Sequence, residues 1–143
     1  MRFLLDVNLL IALIDSAHIA SDTAHDWFAR EGRHSWATCS ITELGALRIV
    51  GGSTYINSAG SPAKVAPALK SLLGQGDHLF WPDELSLVNS PIVDEAALLT
   101  SKQITDTHLL ALAVRHGGVL ATLDRRLSPK AVKGGQKALR LVS

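Results

Sequence analysis

Four acidic residues, Asp6, Glu43, Asp106 and Asp124, are where this sequence can do chemistry. Asp6 closes the apolar run Phe3-Leu4-Leu5, and Asp124 closes Val119-Leu120-Ala121-Thr122-Leu123. An ionised group at the end of such a run is costly unless it is paired or bound to a metal. Glu43 and Asp106 fall in the first turns of expected helices, where a carboxylate also complements the helix dipole. Glu43 further stands at the capping-box spacing Ser40-Ile41-Thr42-Glu43. Four carboxylates converging on one rim repel one another, which raises some pKa values and destabilises the protein. A divalent cation removes that penalty. The chain has a single cysteine, Cys39, and no paired histidines at ligand spacing, so oxygen ligation points to Mg²⁺ or Mn²⁺ rather than zinc. Mg²⁺ keeps several waters and takes only one or two carboxylates plus substrate phosphate oxygens. Hydrolysis of a phosphodiester by a metal-activated water is the chemistry that suits such a site.

Neighbouring residues have plainer readings beside functional ones. Thr122 lies two positions before Asp124, so in a strand it faces the same side and can support a metal ligand or pack in the sheet. Arg125 and Arg126 can hold the phosphates of a substrate beside the metal or form a solvated turn. His108 follows Asp106 by two positions on one helix, hence on another face, and reads as structural. His25, His34 and His116 read as surface or packing residues, and Trp27, Phe28 and Trp36 as core.

The elements that must position the acids follow from periodicity and punctuation. Residues 2–5 form a short buried strand, and the apolar stretch 7–14 a helix starting at the strand's end. Helices are expected over about 22–31, 40–50 and 62–73, then a short one near 91–99 and a strong one capped by Thr105 and ended by Gly117-Gly118. Strands are expected at 36–39, 78–81, 119–123 and about 138–142, with 53–62 a loop. Alternation of this kind makes a mainly parallel sheet covered by helices, with right-handed crossovers and a site beyond the carboxyl ends of the strands. All 143 residues suit one such domain.

Bulk properties set the outer bounds. Apolar residues make up 47% of the chain but aromatics only 5%, so aliphatic side chains must build the core. No apolar run approaches the ~18 residues of a membrane span, and no targeting signal is visible, which fits a cytoplasmic protein. Net charge is only +1. Residues 1–114 nevertheless carry seven basic and twelve acidic residues, against seven and one in 115–143. That basic end can contact phosphates or form a solvated terminal face.

Taken together, Leu4-Leu5-Asp6-Val7-Asn8, Ser40-Ile41-Thr42-Glu43, Thr105-Asp106 and Ala121-Thr122-Leu123-Asp124 resemble the four acidic motifs of PIN-domain nucleases. The segment Thr105–Leu127, with His108, Ala111, His116-Gly117 and Thr122-Leu123-Asp124-Arg125, resembles more specifically a VapC-type toxin of a bacterial toxin–antitoxin system. The resemblance implies a three-layer, Rossmann-like α/β/α fold and Mg²⁺- or Mn²⁺-dependent endoribonuclease activity. It implies also a cognate antitoxin and a homodimer, with the four acids holding metal and Asn8 supporting them. One departure is Val7, where the family often places Thr or Ser. Two other readings remain open. One is a phosphohydrolase forming an aspartyl-phosphate on Asp6, against which stand Asn8 in place of a second Asp and the lack of a lysine near Asp106 or Asp124. The other is a non-catalytic binding module on the same fold.

Overall fold

The computed structural model describes residues Met1–Ser143. Its strands are β1 (Phe3–Leu5), β2 (Trp36–Cys39), β3 (His78–Trp81), β4 (Val119–Thr122) and β5 (Leu139–Leu141). Its helices are α1 (Val7–Ile14), α2 (Ser21–Arg30), α3 (Ser40–Val50), α4 (Pro62–Leu73) and α5 (Ile104–Arg115). The strands form one sheet in the order β3-β2-β1-β4-β5, and every pairing is parallel. The chain therefore winds outward from β1 through β2 to β3, then returns to the other side of β1 with β4. That reversal is a topological switch point, and the crevice it opens lies beyond the carboxyl ends of β1 and β4. Asp6 and Asp124 follow those two ends.

Strand pleating divides the core. Leu5, Trp36 and Ala121 point to one face and pack with Leu9, Leu10 and Ile11 of α1, Trp27 and Phe28 of α2, and residues of α3 and α4. Leu4, Ala37 and Leu120 point to the other, against Leu109, Leu110 and Leu112 of α5 and the side chains of Val93, Leu127 and Val132. The nearly continuous apolar run of α1 has its explanation here, because α1 lies between the sheet and helices α2, α3 and α4. Near the end of α1, the Asp15 carboxylate accepts hydrogen bonds from Tyr55 Oη and from Asn57 Nδ2 (3.0 Å), which tethers the loop after α3.

Three local expectations change. No α-helix spans 91–99: only 3₁₀ turns occur, at Glu95–Ala97 and Ser101–Gln103. Residues 92–94 instead pair with 131–133, through Lys133 N to Ile92 O and Asp94 N to Ala131 O, both 2.8 Å. Those long-range bonds use the backbone groups a helix would need. Helix α5 begins at Ile104, so Thr105 is its second residue rather than its cap. Helix α3 is capped by Cys39 rather than Ser40, and the side chain reaching back to the cap amide is that of Thr42, at 3.0 Å, rather than Glu43.

Candidate active site

Asp6 is the N-cap of α1, so its position is fixed by the strand-to-helix turn itself. Its Oδ1 accepts from the Val7 backbone amide at 2.7 Å, and its Oδ2 accepts from the Thr122 hydroxyl at 2.7 Å. The second bond joins the ends of the two adjacent strands β1 and β4. Thr122 Oγ1 also accepts from the Asp124 amide at 3.0 Å, setting the turn that presents Asp124. Only 4% of Asp6 is exposed. Burial pushes its carboxyl above the ordinary range, the bonds from Thr122 and Val7 offset part of the rise, and the charge of Asp124 adds to it.

Asp106 arrives from the first turn of α5. Desolvation, then the charges of Asp6 and Asp124, push its carboxyl up to about 6. Three carboxylates separated by up to 118 positions in sequence thus act on one another. They line a cleft of about 280 Å³ whose other walls include Asn8 and Thr105, with Ile41, Gly45 and Arg48 of α3. Gly45 allows the close approach of α3 to α1, since a Cβ there would stand 2.9 Å from Val7 Cγ2. The departure at Val7 is thereby matched by a glycine that receives its side chain.

Glu43 does not line that cleft. Its Oε2 accepts from the Thr38 hydroxyl at 2.6 Å, and Thr38 Oγ1 is also 2.8 Å from His78 Nε2. Helical phase accounts for this. Ile41, Gly45 and Arg48 share the face of α3 that lines the cleft. Glu43 is two residues from both Ile41 and Gly45, about 200° around the helix. The resemblance of its motif is carried by sequence order, whereas its side chain is bonded to Thr38 of β2.

The basic residues divide as well. Arg126 lines a second cleft of about 490 Å³ that shares Asp106 and Asp124 with the first, together with Lys102 and Lys130. Arg125 is exposed and lines neither. The basic carboxyl-terminal segment divides: Arg140 pairs with Glu31 at 2.6 Å, and Lys137 opens on a neighbouring hollow formed by residues 129–137, which shares Lys130 with the second cleft. Arg48 and Lys102 were not singled out by sequence, whereas Lys130 belongs to the basic end read there as able to contact phosphates. A signal existed only for Arg48, which lies seven residues after Ile41 and three after Gly45 on one helical face. Lys102 and Lys130 reach the cleft from irregular segments that periodicity does not describe. They also overturn the expectation that no lysine lies near Asp106 or Asp124. His108 and His116 are structural, with His108 Nε2 3.1 Å from Asp83 Oδ1 and the His116 ring stacked on buried Trp81 at 4.2 Å.

The donor set suits a hard cation. Asp6, Asn8, Thr105, Asp106 and Asp124 line the cleft and carry carboxylate, amide and hydroxyl oxygens. No lysine or arginine of the chain forms an ion pair with Asp6, Asp106 or Asp124. No three acidic, histidine or cysteine side chains stand close enough together to hold a metal ion by themselves. An open carboxylate set is what Mg²⁺ takes when waters and phosphate oxygens complete its shell.

The fold and its rim of acids have known counterparts. The PIN domain family matches residues 3–133, and the chain belongs to that family, in its VapC type. It is 38% identical over 141 residues to "Ribonuclease VapC44" of Mycobacterium tuberculosis, covering 96% of each chain. It is 37% identical over 134 residues to "Ribonuclease VapC39" of the same species, covering 94% of this chain and 96% of that one. A crystal structure of VapBC2 from Rickettsia felis bound to a promoter DNA fragment superposes over the whole of both chains with a TM-score of 0.60, at 14% identity. That last likeness concerns the fold.

Proposed function

We propose that this chain is a metal-dependent endoribonuclease, the toxin member of a toxin–antitoxin pair. The single observation that carries the reading is the convergence of Asp106 on Asp6 and Asp124, whose charges help push its carboxyl up to about 6. Close relatives named as ribonucleases supply the substrate class. Asp6, Asp106 and Asp124 would hold Mg²⁺ or Mn²⁺, with Asn8 beside them at the rim. Bound there, the cation would supply Lewis-acid chemistry at a phosphodiester and activation of a water. The protein's own part is orientation: Val7 N and Thr122 Oγ1 fix both oxygens of Asp6, and Thr122 sets the backbone of Asp124.

That same fixation disfavours the aspartyl-phosphate reading. An Asp6 carboxylate with both oxygens engaged and 4% exposure is poorly placed for in-line attack on phosphorus. Lys102 and Lys130 supply the cation such enzymes use, but not an accessible nucleophile.

Membership of the VapC type supports a cognate antitoxin as partner and assembly as a homodimer. No helix is long and apolar enough to cross a membrane. The test is cleavage of purified RNA with Mg²⁺, Mn²⁺ or excess chelator by wild type, Asp6→Asn and Asp106→Asn. Cleavage that needs the metal and is lost in both variants is expected. Wild-type rates in Asp6→Asn, with its fold intact by circular dichroism, would overturn the assignment.

A further inference from the structure

We infer that Arg48 is a phosphate-holding residue of this site, facing Lys102, Arg126 and Lys130 across the carboxylates so that one RNA strand is gripped on both sides of the bond to be cut. The inference rests on the ribonuclease reading above for its substrate. It begins from how the clefts join. Asp106 and Asp124 line both the cleft of about 280 Å³ and the one of about 490 Å³, and so stand at the junction. Arg48 is the cation of the first cleft, while Lys102, Arg126 and Lys130 line the second. The path across the acids thus has positive charge at both ends and negative charge in the middle.

These cations are not used by the fold. The ion pairs are Arg2–Asp77, Arg140–Glu31, His108–Asp83 and His116–Glu84. Arg48 enters none of them and donates no side-chain hydrogen bond, although three carboxylates share its cleft. An exposed arginine without a partner is ordinary by itself. One held on the same helical face as Gly45, where α3 is drawn against Val7, has its place fixed by packing. A guanidinium presents five donors in a planar fork that matches phosphate oxygens, and beside a carboxylate cluster a polyanion is the ligand it serves.

The character of the lining narrows the substrate further. No aromatic side chain lines either cleft, so bases have no stacking platform there. Recognition at the acids then runs through the sugar–phosphate backbone, with little preference among bases from this part of the surface. A recessed junction between two clefts admits a single strand, which can bend into it, more readily than a stiff duplex.

The test is binding rather than turnover. A fluorescein-labelled oligouridylate is titrated with the full chain in chelator, where cleavage does not intervene, over a range of KCl concentrations. Each phosphate contact on a single strand contributes about 0.7 to the slope of log affinity against log salt. Arg48→Ala is expected to lower that slope by one such contact, and Arg126→Ala by another. The double variant should lose both, while Arg125→Ala, outside both clefts, leaves the slope unchanged. Arg48→Lys keeps the charge and should retain the slope while losing part of the affinity. Thermal melts accompany each variant. A wild-type slope in folded Arg48→Ala would overturn the inference and leave Arg48 as a counter-charge for the acids. Because no cleavage is read, failure here is separable from failure of the nuclease reading, which the Asp6→Asn and Asp106→Asn assays decide.

Discussion

At the scale of single residues, Thr122 does more than its type announces. It donates to Asp6 and orders the amide of Asp124, so it acts on two of the three acids at once. Thr122→Val keeps the shape and removes the hydroxyl. Supporting groups of this kind typically contribute about 10- to 100-fold in metal affinity. We expect calorimetric Mg²⁺ or Mn²⁺ binding to weaken by that order, and a wild-type isotherm would show that Thr122 merely packs. Asp106 gives a pH prediction. Its folded carboxyl is raised from 3.8 to about 6, so the folded state retains a proton that the unfolded chain has released. Stability of the metal-free protein therefore falls as pH rises from 3.8 toward about 6, and this contribution levels off above. Asp106→Asn should flatten that part of the melting-temperature profile. Glu43 separates motif from geometry. Glu43→Gln is expected to leave cleavage within a few-fold of wild type, where Asp106→Asn abolishes it. A loss equal to that of Asp106→Asn would mean that Glu43 swings to the acids when substrate binds. Asp6, Asp124 and Thr122 were legible in sequence because each sits at a fixed phase on a short strand closed by a turn. Glu43 was not, because a capping-box spacing and an active-site motif look alike until the true first residue of the helix is known.

At the scale of elements, the approach of α3 to α1 sets the width of the cleft. Gly45 against Val7 is its tightest point. Gly45→Ala gains up to about 1 kcal/mol of helix propensity. It also forces a Cβ to within 2.9 Å of a β-branched side chain that has little freedom to move. Overpacking of this kind costs about 1–3 kcal/mol. We expect net destabilisation, relieved when Val7→Ala is added, and a double-mutant cycle in urea measures the coupling. Additive effects would refute the contact. The helices and strands with strong period were legible from the chain, since a five-stranded parallel sheet demands apolar strands and faces. The segment 91–99 was not. Its apolar residues promised a helix, but its backbone is taken by residues 131–133, and a pairing across forty positions leaves no mark in a local window.

At the scale of the whole molecule, the sheet order gathers the chemistry at one edge while dispersing it in sequence. The charge asymmetry between the two parts of the chain pointed to a basic terminal face. The fold instead sends Arg126 and Lys130 to the acids, ties Arg140 to Glu31, and recruits Arg48 and Lys102 from the acidic part. Addition of Mg²⁺ should raise the melting temperature of wild type and leave Asp106→Asn nearly unmoved, which differential scanning fluorimetry can read. Equal shifts would place the cation elsewhere. One bond carries a consequence for biosynthesis. Asp6 leaves the ribosome well before its partner Thr122, which lies 116 positions later. Strand β4 must add to β1 before that bond can form. A nascent chain halted before Val119 holds Asp6 and Asp106 but has neither Thr122 nor Asp124, and it should cut nothing. The site is thus expected to stay incomplete, and its chemistry withheld from the RNA around it during translation, until Asp124 has been made.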